Sequence, residues 1–236
     1  MEQQSINSYG AGFKDGIPIG LGYLSVSFTF GMMAVNLGLP VWAAVLISAT
    51  NLTSAGQFAA IGLMSASAPL IELALTQLVI NIRYALMSLS LSQKADKTMT
   101  TPHRLLASFF VTDEIFAVTS GKPCDFGRRY IYGLATAPFL GWTLGTFIGA
   151  AASTILPDIY RTALSIAIYG MFIAIIIPPA KKSNSILKVL LISIAISCII
   201  RWTPLLKNIS GGFVIIICAV VASSLGAIFF PIKEVD

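Results

Sequence analysis

GFVIIICAVVASSLGAIFFP, residues Gly212–Pro231, is a run of twenty residues without a single charge. That is the length and composition an α-helix needs to cross the hydrocarbon core of a bilayer, and it is longer than the apolar runs of soluble core helices. Working outward from it, further spanning runs are predicted at Ile17–Leu37, Leu70–Leu91, Tyr130–Thr154, Thr162–Pro178 and Ile186–Ile200, the last short enough to need its flanks. Only 11% of the chain is charged and 56% is hydrophobic, against about 25% charged in a soluble domain, so most of the surface cannot face water. The fold predicted is an all-α polytopic transmembrane helix bundle with about six full spans. It forms one transmembrane domain over residues 1–236, with a polar N-terminal segment at 1–12 and a polar tail at 232–236. Met1–Asp15 is polar and carries no cleavable leader pattern, so the apolar segments themselves are expected to direct insertion.

Two segments do not fit a plain span. Val41–Met64 is interrupted by Asn51, Thr53, Ser54, Gly56 and Gln57, and Leu105–Thr119 carries Asp113 and Glu114 near its middle. Polar backbone and charge at membrane depth are tolerated only where they face protein or water, so both segments are expected to be broken or re-entrant helices lining a site. The cations agree with that arrangement. With both segments re-entrant, Lys14, Lys94, Lys97, Arg104, Lys122, Arg128, Arg129, Lys181, Lys182, Lys188 and Lys233 fall on the cytoplasmic side. Arg161, Arg201 and Lys207 fall outside, and Arg83 sits within a helix, the bias that sets membrane orientation. The net charge of +5 is thus spread over short loops and gives no reason to invoke nucleic acid. Gly12, Gly16 and Gly20 recur every four residues, as do Gly141, Gly145 and Gly149. This spacing lets backbones approach closely and suggests an internal repeat. Pro18 and Pro138, close to these stripes, are expected to open their helices.

The residues that can carry chemistry are few. A charged side chain at the bilayer centre costs about 2.5–3.5 kcal/mol on insertion scales, so one that is present calls for a use or a partner. Asp113 and Glu114 are candidates for binding a proton or a substrate ammonium. Arg83 either pairs with Asp113, Glu114 or Glu72 or snorkels to the interface. Asn51, Ser54, Gly56, Gln57 and Asn81 supply amide, hydroxyl and backbone groups for a zwitterionic solute, with an unwound helix at 51–57 freeing further carbonyls and N–H groups. His103, beside Lys97 and Arg104, is expected to be solvated. Cys124, Cys198 and Cys218 form no CxxC and read as small packing residues, so no metal site is expected. HExxH, GxSxG and GxxxxGK[ST] do not occur, so no catalytic residue and no cofactor are expected, and active transport would draw on an ion gradient or another subunit.

Taken in succession, Gly12-Phe13-Lys14-Asp15-Gly16-Ile17-Pro18, Phe28-x-Phe30-Gly31 and Ala55-Gly56-Gln57-Phe58 resemble the AzlC/YgaZ family of branched-chain amino acid permeases, the large subunit of AzlCD-type exporters. Asn81-x-Arg83-Tyr84-x-Leu86-Met87, Thr112-Asp113-Glu114-Ile115-Phe116-Ala117 and Gly141-Trp142 continue the likeness, which covers roughly residues 10–180. The resemblance implies a multi-pass protein of the inner or plasma membrane that exports leucine, isoleucine or valine. It also implies energy from protons and a small membrane subunit of the AzlD type as partner, besides the membrane lipids. A channel-like facilitator of small zwitterionic solutes is the alternative.

Overall fold

The computed structural model describes residues 5–155, 173, 176–204, 206 and 208–230. Their elements run β1 (Ser5–Ile6), α1 (Tyr9–Asn36), α2 (Val41–Thr50), α3 (Ala55–Ser65), α4 (Leu70–Gln93), α5 (Thr101–Ser108), α6 (Asp113–Ser120), β2 (Asp125–Phe126), α7 (Arg128–Ile155), α8 (Asn184–Trp202) and α9 (Gly211–Phe229). Among the described residues five helices, α1, α4, α7, α8 and α9, are long and apolar enough to cross a membrane. The span predicted at Thr162–Pro178 lies mostly outside the described residues, as do Arg161, Lys207, Lys233 and the tail at 232–236. The chain is a polytopic all-α membrane protein, as its apolar runs require.

The contacts divide the chain into two compact units, Met1–Phe58 with Asn81–Ser165, and Ala59–Ile80 with Ile166–Asp236. The first is built on α1 and α7, which run parallel in close contact. Backbone approaches backbone along the whole length: a Cβ placed on Gly12 would lie 2.1 Å from the Tyr130 carbonyl oxygen, and one on Gly149 1.9 Å from that of Phe28. The two glycine stripes are therefore the two sides of a single contact, and helix packing accounts for their spacing. Pro18 and Pro138 do not open their helices; α1 and α7 run unbroken through both. Each proline removes one helical hydrogen bond without ending its helix.

Both interrupted segments are broken helices. α2 ends at Thr50 and α3 begins at Ala55, leaving 51–54 unwound; α5 and α6, eight residues each, flank 109–112. The second segment returns to the end it left. Asp96 N–H donates to the Phe126 carbonyl at 3.0 Å and Phe126 N–H to that of Lys94 at 3.2 Å, and the Lys94 ammonium donates to the carbonyls of Ser120 and Lys122. β1 joins the same end by parallel pairing with β2, so the starts of α1 and α7, the end of α4 and both ends of the hairpin lie together. Lys122 pairs there with Asp15 at 2.7 Å, and Tyr130 donates to the same carboxylate at 2.8 Å. Leu91, Val111, Ile115, Phe126, Tyr130 and Leu134 pack beneath this end. His103 is not simply solvated: it is half-buried, its Nδ1 2.8 Å from the Tyr132 hydroxyl and its Nε2 3.3 Å from Arg128 Nη1.

In the second unit α8 packs against α9. Between them lies an apolar groove of about 740 Å³ that includes Val189, Leu190, Cys218 and Ala222. Gly226 permits the approach, since a Cβ there would come within 2.5 Å of Val189.

Candidate functional site

Three polar side chains of the first unit lie at the middles of long helices. Tyr23 is fourteen residues from the start of α1 and thirteen from its end, Trp142 fourteen and thirteen in α7, and Arg83 thirteen and ten in α4. At 1.5 Å per residue each lies about 15 Å or more from either helix end, the level of the bilayer centre for a helix that spans.

The start of α6 is held at this level. Arg83 Nη1 pairs with Asp113 Oδ2 at 2.5 Å, with the two side chains 47% and 48% exposed, and Tyr23 donates from its hydroxyl to Glu114 Oε2. Arg83 therefore reaches Asp113 and does not snorkel, and Glu72 is not its partner. The acids suit their position as the first two residues of α6, where the helix dipole favours negative charge. Thr112 caps the helix, its Oγ1 accepting from Ile115 N–H at 3.4 Å.

The break between α2 and α3 is tied to the same place. Ser54 is left-handed, φ 45°, a conformation that turns the chain sharply and that non-glycine residues adopt only where the surroundings enforce it. Gln57, fully buried, enforces it: its Nε2 donates to the Ile47 carbonyl at 3.2 Å and to the Asn51 carbonyl at 2.6 Å, satisfying groups freed at the end of α2. Its Oε1 accepts from Trp142 Nε1 at 2.9 Å, and Trp142 lies edge-on to Tyr23, ring centroids 5.3 Å apart. A continuous chain of contacts thus runs from the break through Gln57, Trp142 and Tyr23 to Glu114. A second runs from Asp113 through Arg83, 3.3 Å from the Tyr84 hydroxyl, and on to the Thr53 carbonyl at 3.5 Å from that hydroxyl. Asn51 folds its Oδ1 back onto Thr53 N–H at 3.1 Å. The buried Thr53 Oγ1 has no hydrogen-bond partner among the described residues.

Asn51, Ser54, Gly56, Gln57, Arg83, Asp113 and Glu114 are thereby brought into one neighbourhood by two chains of contacts. Asn81 lies half-buried on α4, two residues before Arg83 and so on nearly the opposite side of that helix. Sequence reasoning did not place Tyr23 or Trp142 among the site residues. The one signal for them is a hydroxyl- or N–H-bearing aromatic at the midpoint of a long apolar run.

The family model described as AzlC protein matches residues 18–156, more than half the chain and every residue of this neighbourhood. The chain belongs to the AzlC family. Its relatives include inner membrane protein YgaZ of Escherichia coli strain K12, 28% identical with 74% of each chain covered. A membrane protein of Archaeoglobus fulgidus is 32% identical over 74% of this chain and 78% of its own. A membrane protein of Helicobacter pylori strain 26695 is 32% identical over 58% and 63%. No solved structure matches this AzlC-family chain. Within the matched stretch lie both broken helices, the Arg83–Asp113 pair and the α1–α7 contact.

Proposed function

We propose that this AzlC-family protein is a secondary active exporter of branched-chain, hydrophobic amino acids in the plasma membrane. It is driven by protons and works with a small membrane subunit of the AzlD type. The observation that supports this reading best is the Arg83–Asp113 pair at mid-helix, with Glu114 beside it and a broken helix tied to the same point. A zwitterionic amino acid carries one charge of each sign and can trade places with such a pair, its carboxylate on Arg83 and its ammonium on a carboxylate. Asn51, Ser54 and the backbone at Gly56 would take the remaining polar groups, with Gln57 holding the break open. Asp113 or Glu114 would carry the coupling proton, which leaves Arg83 to balance the charge as the proton comes and goes. Apolar walls select the aliphatic side chain, and one methylene is worth only about 1–3 kcal/mol, so leucine, isoleucine, valine and methionine compete.

The test is counterflow of labelled leucine in proteoliposomes at two pH gradients, with and without a small partner subunit. Asp113→Asn and Glu114→Gln are each expected to reduce proton-driven leucine movement at least tenfold. Wild-type rates in both variants would refute the proposed coupling, and flux insensitive to protonophores would point to a channel.

A further inference from the structure

The groove of about 740 Å³ between α8 and α9 lies within the second unit and has a direction. The two helices run antiparallel along it: Val189, near the start of α8, meets Gly226, near the end of α9. On the α9 side the lining residues extend from Cys218 to Phe230, twelve residues or about 18 Å at 1.5 Å per residue. Half the hydrocarbon thickness of a bilayer is about 15 Å. The groove therefore covers one leaflet, from the end where α8 starts to about the membrane centre. Its interior has no polar group in want of a partner. Ser223 donates to the Val220 carbonyl of its own helix at 3.2 Å, and the side chains of Ser193 and Cys218 bond each other.

The mouth has the opposite character. Lys181 and Lys182 are exposed just ahead of Ser183, the N-cap of α8. Lys188, also exposed, holds its Nζ 4.6 Å from the ring centroid of Phe230, which lines the groove at this end. None of the three lysines is in an ion pair among the described residues. The one described carboxylate of the unit, Glu72, is at the opposite end of α9, where it accepts from the Gly212 N–H at 2.8 Å.

We propose that this groove binds an anionic phospholipid, with one acyl chain along α8 and α9 and the phosphate among Lys181, Lys182 and Lys188. A hydrocarbon chain needs only apolar contact, and the groove gives it over the depth of one leaflet. The headgroup needs positive charge at the membrane surface, and the lysines supply it. A helix of a partner protein could cover the same apolar floor, but it would have to bring acidic groups to the basic mouth; an anionic lipid carries that charge in its headgroup. The basic end is the one that the distribution of cations assigns to the cytoplasm, so the lipid comes from that leaflet. Each lysine near the surface favours an anionic lipid by about fivefold, an attraction that salt screens. The site shares no residue with the Arg83–Asp113 neighbourhood and does not depend on what the protein transports.

The test uses the full chain in nanodiscs doped with phosphatidylglycerol that carries a photoactivatable diazirine on its acyl chain. A phosphatidylcholine probe with the same chain is the control, and crosslinks are read residue by residue. Phosphatidylglycerol is expected to label Val189, Leu190 and Ala219 at least tenfold more than phosphatidylcholine does, relative to Leu191 and Ile194, which are exposed on α8 outside the groove. Replacing Lys181, Lys182 and Lys188 together by Gln changes only exposed side chains and should abolish the preference, as should 1 M salt. Ala227→Phe, at an exposed lining position, should fill the groove and remove the crosslinks at Val189. Equal labelling by the two lipids overturns the proposal, as does labelling no denser in the groove than at Leu191 and Ile194. Loss of the phosphatidylglycerol crosslinks when a small partner subunit is present would make the groove a protein seat and overturn it too. Should Ala227→Phe fail to fold, the lysine variant decides, and an undiminished preference in it overturns the assignment.

Discussion

Asp113 and Glu114 are neighbours in the chain and take different partners, Arg83 and Tyr23, because consecutive helical residues point about 100° apart. Their presence was legible, since charge in an apolar stretch is costly and therefore conspicuous. Their partners were legible only as chemical types, because Asp113, Glu114 and Glu72 all suit Arg83 and nothing local says which of them it will meet. Gln57 shows the same limit: a polar residue in an apolar run draws the eye, but its three bonds to Ile47, Asn51 and Trp142 depend on the fold. Asp96, in the loop after α4, offers a prediction at this scale. Burial raises its pKa, but the hydroxyls of Ser5 and Thr98 and the N–H groups of Thr98 and Met99 bond the carboxylate and outweigh burial, so the net shift is downward. A lowered carboxyl pKa stabilises the fold above the unfolded value of about 3.9 and loses that contribution as pH falls through the folded value. The β1–β2 pairing is expected to hold at pH 5 and above and to loosen below about pH 4. Hydrogen exchange at Gly127, whose N–H donates to the Ile6 carbonyl at 2.8 Å, measures it, and Asp96→Asn should exchange faster at neutral pH with the acid step abolished.

At the scale of elements, the parallel contact of α1 with α7 is the frame on which the candidate site hangs, since it sets Tyr23 and Trp142 edge-on at one level. Every fourth residue being glycine was visible, and so was the inference of close approach. That the two stripes face each other was not, because identical spacing fits a repeat, an oligomer or a single contact equally well. Gly149→Ala puts a methyl 1.9 Å from the Phe28 carbonyl oxygen, whereas Gly22 has nothing within 4 Å. The first substitution is expected to destabilise by about 1–3 kcal/mol through overpacking. Gly22→Ala, in the same helix system, should be neutral or stabilising by up to about 1 kcal/mol. Thermal unfolding in detergent distinguishes the two, and equal melting temperatures would contradict the contact.

For the whole molecule, the membrane-spanning class followed from uncharged runs such as Gly212–Pro231, because no other environment accepts twenty such residues. The positions of the two breaks followed as well, since amides and carboxylates cannot face lipid. The go-and-return path of residues 97–119 needed the bonds that close it, between Asp96 and Phe126 and between Lys94 and Ser120. Single cysteines replacing Lys97 and Gly121, in a chain freed of Cys124, Cys198 and Cys218, are expected to react with an impermeant thiol reagent from one face of the membrane, and one replacing Leu39 from the other. Labelling of 97 and 121 from opposite faces would turn the hairpin into a span. The amino-acid sequence alone determined that this chain lives in a bilayer, where the five long helices among the described residues fall, and which side chains are too polar to be there without cause. Tertiary structure alone decided which of those side chains meet: Arg83 with Asp113, Glu72 with the start of α9, Gln57 with Trp142. Partition into a membrane is summed residue by residue along the chain. An ion pair or a borrowed helix cap joins residues 30 to 140 positions apart, and no local pattern encodes that distance.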